Sequence, residues 1–275
     1  MSVGPRVSIV IPTHDRPSLL LEAVRSALDQ TYPDIECVVV DDGSTPPVAP
    51  HPDPRVRIVR ITENRGPGGA RNAGLRNCHG SVVCFLDDDD VLLPTRISEG
   101  VARCRAGQIV ICGLAYYHRP NVRTSTRSFE GDMSSTLLDG DWPSINQALM
   151  CVEDCLEFRE DLRVCEDYEW WIRMAQHVEF ASAGGIGYLE REHDGPRPGV
   201  DARVRLACRV SAIEIHRDYF ASRPRVRARA WARVARAALL ADRPWIALCA
   251  AIRGLRRPSW ERVVLALKAA NAARH

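Results

Sequence analysis

Three short apolar runs, each cut off by a polar cluster, constrain this chain more than any other feature. They are residues 7–11 (VSIVI), 35–40 (IECVVV) and 82–86 (VVCFL). The clusters that end them are Thr13-His14-Asp15, Asp41-Asp42-Gly43-Ser44 and Asp87-Asp88-Asp89-Asp90. A run this short, rich in β-branched residues and without polar alternation, fits a strand buried on both faces. Between the runs lie helical patterns. Asp15 and Pro17 open one, with Leu20, Val24, Ala27 and Leu28 at helical spacing, and Tyr32-Pro33 ends it. Residues 66–77 form a glycine-rich turn running into a second helix, and residues 94–104 read as a third. Residues 56–61 (VRIVRI) alternate as a strand near an edge, and 109–112 as a fifth strand. Strands alternating with helices predict an α/β parallel sheet, and such sheets bind ligands at the carboxyl ends of their strands. The three polar clusters should therefore converge on one edge.

Charge divides the chain. Residues 1–200 carry 20 basic and 30 acidic groups, whereas residues 201–275 carry 17 basic and 5 acidic. The shift predicts a boundary near 200, with an all-helical region over 201–275 broken near Pro224, Pro244 and Pro258. The longest apolar run, 245–252, is far short of the ~20 residues that span a bilayer, and residues 1–6 lack a signal-peptide core. The expected location is the cytoplasm. The ten cysteines are irregularly spaced with no C-x-x-C pair, so a zinc knuckle and a redox motif are both excluded and reduced core thiols are expected.

Four successive carboxylates repel one another unless a cation neutralises them, and hard oxygen donors favour Mg²⁺ or Mn²⁺. The segment Asn64-Arg65-Gly66-Pro67-Gly68-Gly69-Ala70-Arg71-Asn72 offers close backbone approach, a helix N-terminus suited to an anion, and two arginines. It is neither a Walker loop nor G-x-G-x-x-G. Asp167 sits in an acidic pair ahead of a helical stretch (DYEWWIRMAQ), where it can act as a base or merely cap the helix.

The order VSIVIPTHDRP, IECVVVDDGST, ENRGPGGARNAGL, GSVVCFLDDDDVLLP and VCEDYEWWIRMA resembles the inverting family 2 glycosyltransferases of GT-A fold, over about residues 5–193. The resemblance implies a Rossmann-like, mostly parallel sheet flanked by helices, forming a catalytic domain over 1–200, with a basic helical region over 201–275. It implies that Pro12, Thr13 and Asp41 line a nucleobase pocket, with Asp41 accepting from a base N–H. Arg65 or Arg71 would approach the diphosphate. Asp87, Asp88 and Asp89 cover the D-x-D metal motif: Asp89 would hold the metal, and Asp87 or Asp88 the ribose or the metal. Glu166-Asp167 matches the family's E-D pair, with Asp167 as general base. His193 matches a metal ligand of some relatives. Trp170 and Trp171 are expected mainly in the core, one of them facing the acceptor.

The implied reaction moves a sugar from a nucleotide-sugar, a UDP-sugar by preference, to a glycan, lipid-linked or natural-product acceptor, with Mn²⁺ or Mg²⁺ and without nucleic acid. The rivals are a nucleotidyltransferase, disfavoured because the sole lysine is Lys268, and a non-catalytic GT-A-like binding domain. Val263, Leu267 and Ala270 share a helical face beside Arg256, Arg257, Arg262 and Lys268. That pattern fits either a peripheral contact with the inner membrane face or packing against the catalytic domain or a second subunit. Packing is the stronger expectation, because Trp231, Trp245 and Trp260 look like anchors.

Overall fold

The computed structural model describes residues 4–118, 121–134, 142–191 and 202–254. The chain divides into two compact units: residues 1–133 with 143–194, and residues 134–142 with 195–275.

The first unit is built on one mixed sheet. Its strands are β1 (Val7–Thr13), β2 (Ile35–Asp42), β3 (Val56–Ile61), β4 (Val82–Phe85), β5 (Val91–Leu92), β6 (Gln108–His118), β7 (Asn121–Ser125), β8 (Ala148–Cys151) and β9 (Glu179–Arg191). The order is β3-β2-β1-β4-β8-β6-β9-β5, with β7 paired to β6. β3, β2, β1 and β4 run parallel. Every residue of β1, β2 and β4 is buried, as expected for runs without polar alternation. Beyond β4 the sheet is mixed: β8 is antiparallel to both β4 and β6, while β9 is parallel to β6. The expectation of a mostly parallel sheet therefore holds on one side of β4 only.

Helices α1 (Pro17–Leu28), α2 (Gly66–Arg76), α3 (Arg96–Arg103) and α4 (Glu166–His177) accompany this sheet. Asp15 does not cap α1. It sits at φ +54°, and Arg16 occupies the cap position with Pro17 in the first turn. α2 lies very close to β1, because a Cβ on Gly74 would overlap Val10 Cγ1. Its first residue, Gly66, has φ +78°, a left-handed turn that only glycine adopts without strain.

α4 is tied to the sheet by aromatic rings. Trp170 stacks on Phe158 at 5.0 Å and 10°, and Phe158 meets Phe85 of β4 edge-on at 5.5 Å. Trp170 Nε1 also donates to Leu156 O at 2.6 Å. Such ring pairs add about 0.5–1.5 kcal/mol each beyond the area they bury. Trp170 and Trp171 are both fully buried, so neither offers a face to an acceptor; the anchoring of α4 uses both rings up.

The second unit contains α5 (Ala202–Ile215), α6 (Arg217–Ser222), α7 (Pro224–Leu240) and α8 (Pro244–Gly254). The breaks at Pro224 and Pro244 fall where the sequence places them, since each proline opens a helix. Val226, Ala230, Val234, Ala237 and Ala238 form the buried stripe of α7. Trp245, expected as an anchor, is 66% exposed. Trp260, Pro258 and the 263–270 stripe lie outside the described residues.

Eight cysteines are free, with Cys37, Cys84 and Cys112 buried; burial pushes the Cys37 thiol up to about 12. Cys165 and Cys208 are not free, which corrects the expectation for those two. No helix among the described residues is long and apolar enough to cross a membrane.

Candidate active site

The parallel registers bring three polar strand ends together. β1 lies between β2 and β4, and Thr13 pairs directly with Asp41. Thr13 is buried and its hydroxyl donates to Asp88 Oδ2 at 2.6 Å, closing the gap between the ends of β1 and β4. Pro12 is buried within β1.

The two aspartates that end β2 organise the loops beside them. Asp41 is fully buried and accepts from the backbone N–H of Ser44 at 2.8 Å and of Val48 at 3.0 Å, and from Arg60. Burial opposes its ionisation, but these bonds prevail and hold the carboxyl below its ordinary range. Asp42 accepts from the N–H groups of Arg65 at 2.7 Å and Gly66 at 2.8 Å. The anion seat at the start of α2, which the sequence offered to a phosphate, is thus taken by the chain's own carboxylate.

The four-aspartate run resolves into different orientations. Asp88 turns inward to Thr13 and to Arg16 Nη1 at 3.2 Å. Burial raises its carboxyl to about 6, although Thr13 and Arg16 pull the other way. Arg16 Nη1 also donates to Asp89 Oδ2 at 3.0 Å. Asp90 is buried, accepting from Asn146 Nδ2 at 2.6 Å and the Arg191 N–H at 3.1 Å. Burial and the flanking Asp87 and Asp89 push its carboxyl well up.

Asp87, Asp89 and Asp90 each offer an oxygen, all within 4.8 Å of one another. Oxygens bound to one Mg²⁺ at its usual 2.0–2.1 Å can stand at most about 4.2 Å apart. Small side-chain shifts would therefore fit this trio to a hard divalent cation, and the all-oxygen donor set suits Mg²⁺ or Mn²⁺.

Arg71 connects this cluster to α4. Its Nη2 donates to Asp87 Oδ1 at 2.7 Å and its Nη1 to Glu166 Oε1 at 2.9 Å. The Arg71 side chain is 5% exposed and that of Glu166 7%. Arg71, one of two arginines expected at a diphosphate, is therefore enclosed between carboxylates. Arg65 is the exposed one, 3.7 Å from Glu160. Burial raises the Glu166 carboxyl to about 7, with Asp167 adding to the rise and Arg71 opposing it. Asp167 is also raised by burial, against the attraction of Arg71. It is half-buried, and its Oδ1 accepts from the Tyr168 N–H at 2.7 Å. The cap position of α4 belongs to Cys165, at φ +62° and without a side-chain cap, so Asp167 is not the N-cap.

Asp90, the last of the four-aspartate run, joins Asp87 and Asp89, and Arg16, Asn146 and Arg191 join the site from outside the motif residues assigned to it. Arg16 lies inside the quoted HDRP motif and was open to a sequence reading. Asn146 and Arg191 come from stretches without a periodic signal. His193 lies outside the described residues.

The first unit has relatives. Residues 8–154, more than half of the chain, match the family model for Glycosyl transferase family 2. The succinoglycan biosynthesis protein ExoO of Rhizobium meliloti (strain 1021) is 42% identical over 116 residues, 40% of this chain and 33% of that protein. The GalNAc(5)-diNAcBac-PP-undecaprenol beta-1,3-glucosyltransferase of Campylobacter jejuni is 34% identical over 116 residues, 40% of this chain and 38% of that protein. The chain thus matches only about a third of the length of these relatives. The structure of S. aureus TarS 1-349 in complex with UDP-GlcNAc superposes with a TM-score of 0.62 at 16% identity, covering 98% of this chain and 91% of that one. At that identity the likeness is one of fold, and it extends through the mixed sheet and the helical region. Taken with the converging strand ends and the aspartate cluster, the match over residues 8–154 places the chain in glycosyl transferase family 2.

Proposed function

We propose that this glycosyltransferase transfers a sugar from a nucleotide-sugar, with UDP as the carrier, to an acceptor hydroxyl in a single inverting displacement. The observation that carries the reading is the buried Arg71, which joins the aspartate cluster to Glu166-Asp167 through two charge-assisted bonds. A cation-binding group and a candidate base are thereby held in one electrostatic unit. Asp167 takes the proton from the acceptor hydroxyl as that oxygen attacks the anomeric carbon and the nucleoside diphosphate departs. Glu166, drawn to Arg71, fixes the start of α4 so that Asp167 stays in place. Asp89, with Asp87, holds Mn²⁺ or Mg²⁺, which when bound neutralises charge on the leaving diphosphate. Arg65 is assigned to that diphosphate, because Arg71 is already engaged. Pro12, Thr13 and Asp41 border the nucleobase, Asp41 chiefly by shaping the 43–48 loop.

The choice of UDP is supported by the fold neighbour in complex with UDP-GlcNAc. A glycan or lipid-linked acceptor is supported by the names of the relatives in saccharide assembly. We assign catalysis to residues 1–200, in the cytoplasm, with 201–275 as a separate helical region.

The test is release of nucleoside diphosphate from a panel of nucleotide-sugars with Mn²⁺, the anomeric configuration of the product being read by NMR. Asp167→Asn should lower kcat by about 10² or more, the scale of general-base catalysis, and leave donor affinity nearly intact. Release of pyrophosphate from a nucleoside triphosphate would move the assignment to nucleotidyl transfer. Donor binding without turnover by any acceptor class would leave a binding domain.

A further inference from the structure

The described exposed large hydrophobic residues are not spread evenly. Leu240, Trp245, Ile246 and Ile252, between 44% and 71% exposed, all fall at the end of α7 and along α8. On α8, Trp245, Cys249 and Ile252 follow at spacings of four and three, one face of a helix, and all three are exposed. This face borders an open groove of about 730 Å³ between α5, α7 and α8. Leu206, Trp231 and Val234 contribute apolar lining, and Arg203, Arg243 and Arg253 contribute cationic lining. The Arg253 guanidinium lies 4.9 Å from the Trp231 ring centroid, which keeps a charge beside the apolar lining.

We infer that this face is a docking surface for an anionic lipid bilayer, with α8 lying in the interface. Residues 202–254 hold twelve arginines against three acidic residues, and Arg203, Arg243 and Arg253 line the groove itself, a charge that complements negatively charged headgroups. A second copy applied through the same face would set its arginines against one another, which disfavours a two-fold dimer here. Tryptophan at the border between apolar and cationic surface is where a bilayer interface places it. An apolar stripe of three residues inserts only shallowly and binds weakly alone, so the charge complement is needed as well. The inference is independent of the transfer chemistry, which rests on the first unit. It also moves the membrane contact away from the 263–270 stripe.

The experiment is co-sedimentation of the full chain with vesicles of 1:1 phosphatidylglycerol and phosphatidylcholine, and with vesicles of phosphatidylcholine alone, at low and high salt. The wild-type chain should bind the anionic vesicles, lose most of that binding in high salt, and leave the neutral vesicles unbound. Two surface variants, Trp245→Ser/Ile252→Ser and Arg243→Glu/Arg253→Glu, should each weaken binding at least tenfold, with donor turnover unchanged. Absence of wild-type binding to anionic vesicles overturns the inference, as does undiminished binding by the arginine variant. A dimer in gel filtration that Trp245→Ser/Ile252→Ser dissociates, without vesicle binding, overturns it in favour of a second copy.

Discussion

Replacing Arg71 by methionine is the sharpest probe of the electrostatic unit in the first domain. The change keeps a long apolar stem against Phe158, whose ring centroid lies 5.5 Å from the guanidinium carbon, and removes only the charge and its donors. Two bonds are lost, to Asp87 and to Glu166. Breaking a buried ion pair by deleting one partner costs about 3–5 kcal/mol. The bond to Glu166 is buried at both ends and counts in full, whereas Asp87 is 33% exposed and its share is screened. About 3–4 kcal/mol is therefore expected at alkaline pH.

The cost depends on pH in a defined direction. Glu166 titrates at about 7 in the folded protein against an ordinary 4.5, so the folded state holds that proton more tightly than the unfolded chain. Ionised Glu166 thus lowers stability progressively as pH rises from about 4.5 through 7, and Arg71 limits that loss. Without Arg71 the Glu166 and Asp167 carboxyls rise further, each unit corresponding to about 1.4 kcal/mol. Below pH 6 the carboxyl is neutral in both proteins and needs a cation less. Urea unfolding at pH 5.5 and 8.5 should show the variant destabilised far more at 8.5. Equal destabilisation at both values would refute the charge argument and assign Arg71 to packing.

Asp89→Ala should abolish Mn²⁺-dependent binding of the nucleoside diphosphate, measured by calorimetry with and without EDTA. The acid limb of the kcat profile should lie above the ordinary carboxylate range, because burial raises the Asp167 carboxyl; activity increases with pH as the base ionises. Gly74→Ala should destabilise the protein by about 1–3 kcal/mol in thermal unfolding, since the new methyl overlaps Val10 of β1 and overpacking outweighs the gain in helix propensity.

In the parallel half of the sheet β1, β2 and β4 were legible because they are buried on both faces and read as unbroken apolar runs, and β3 because its residues alternate as an edge strand does. β8 and β9 were not. β8 is four residues long, and β9 carries Gly184, Gly185 and Gly187 inside a strand held by pairing with β6 across a register shift at Gly113. Nothing local specifies such a partner. The same limit applies to the site. The carboxylates and arginines could be named from their place after strands, but burial decides which arginine does what. Arg65 and Arg71 are six residues apart on one glycine-rich segment; Arg71 lies inside α2 and is buried, whereas Arg65 sits at its entrance and is exposed. Asp42 likewise took the helix N-terminus because the β2 end lies directly beside it, a tertiary fact.

The aspartate run shows how neighbours settle a register that composition leaves open. Four identical side chains in a row cannot all face one ligand, because the backbone turns between them. Asp88 is drawn inward by Thr13 and Arg16, and the other three are left with oxygens close together. Around them stand Glu166 and Asp167, and Arg16 and Arg71 pair with Asp88, Asp89, Asp87 and Glu166 of this group. Burial, with neighbouring carboxylates adding to it, is what pushes Asp88, Asp90, Glu166 and Asp167 up. Protons and a divalent cation are thus alternative ways of relieving the same crowding. The cluster stands at the end of a fully buried strand, on the edge of the sheet where the proposed transfer would place a cation.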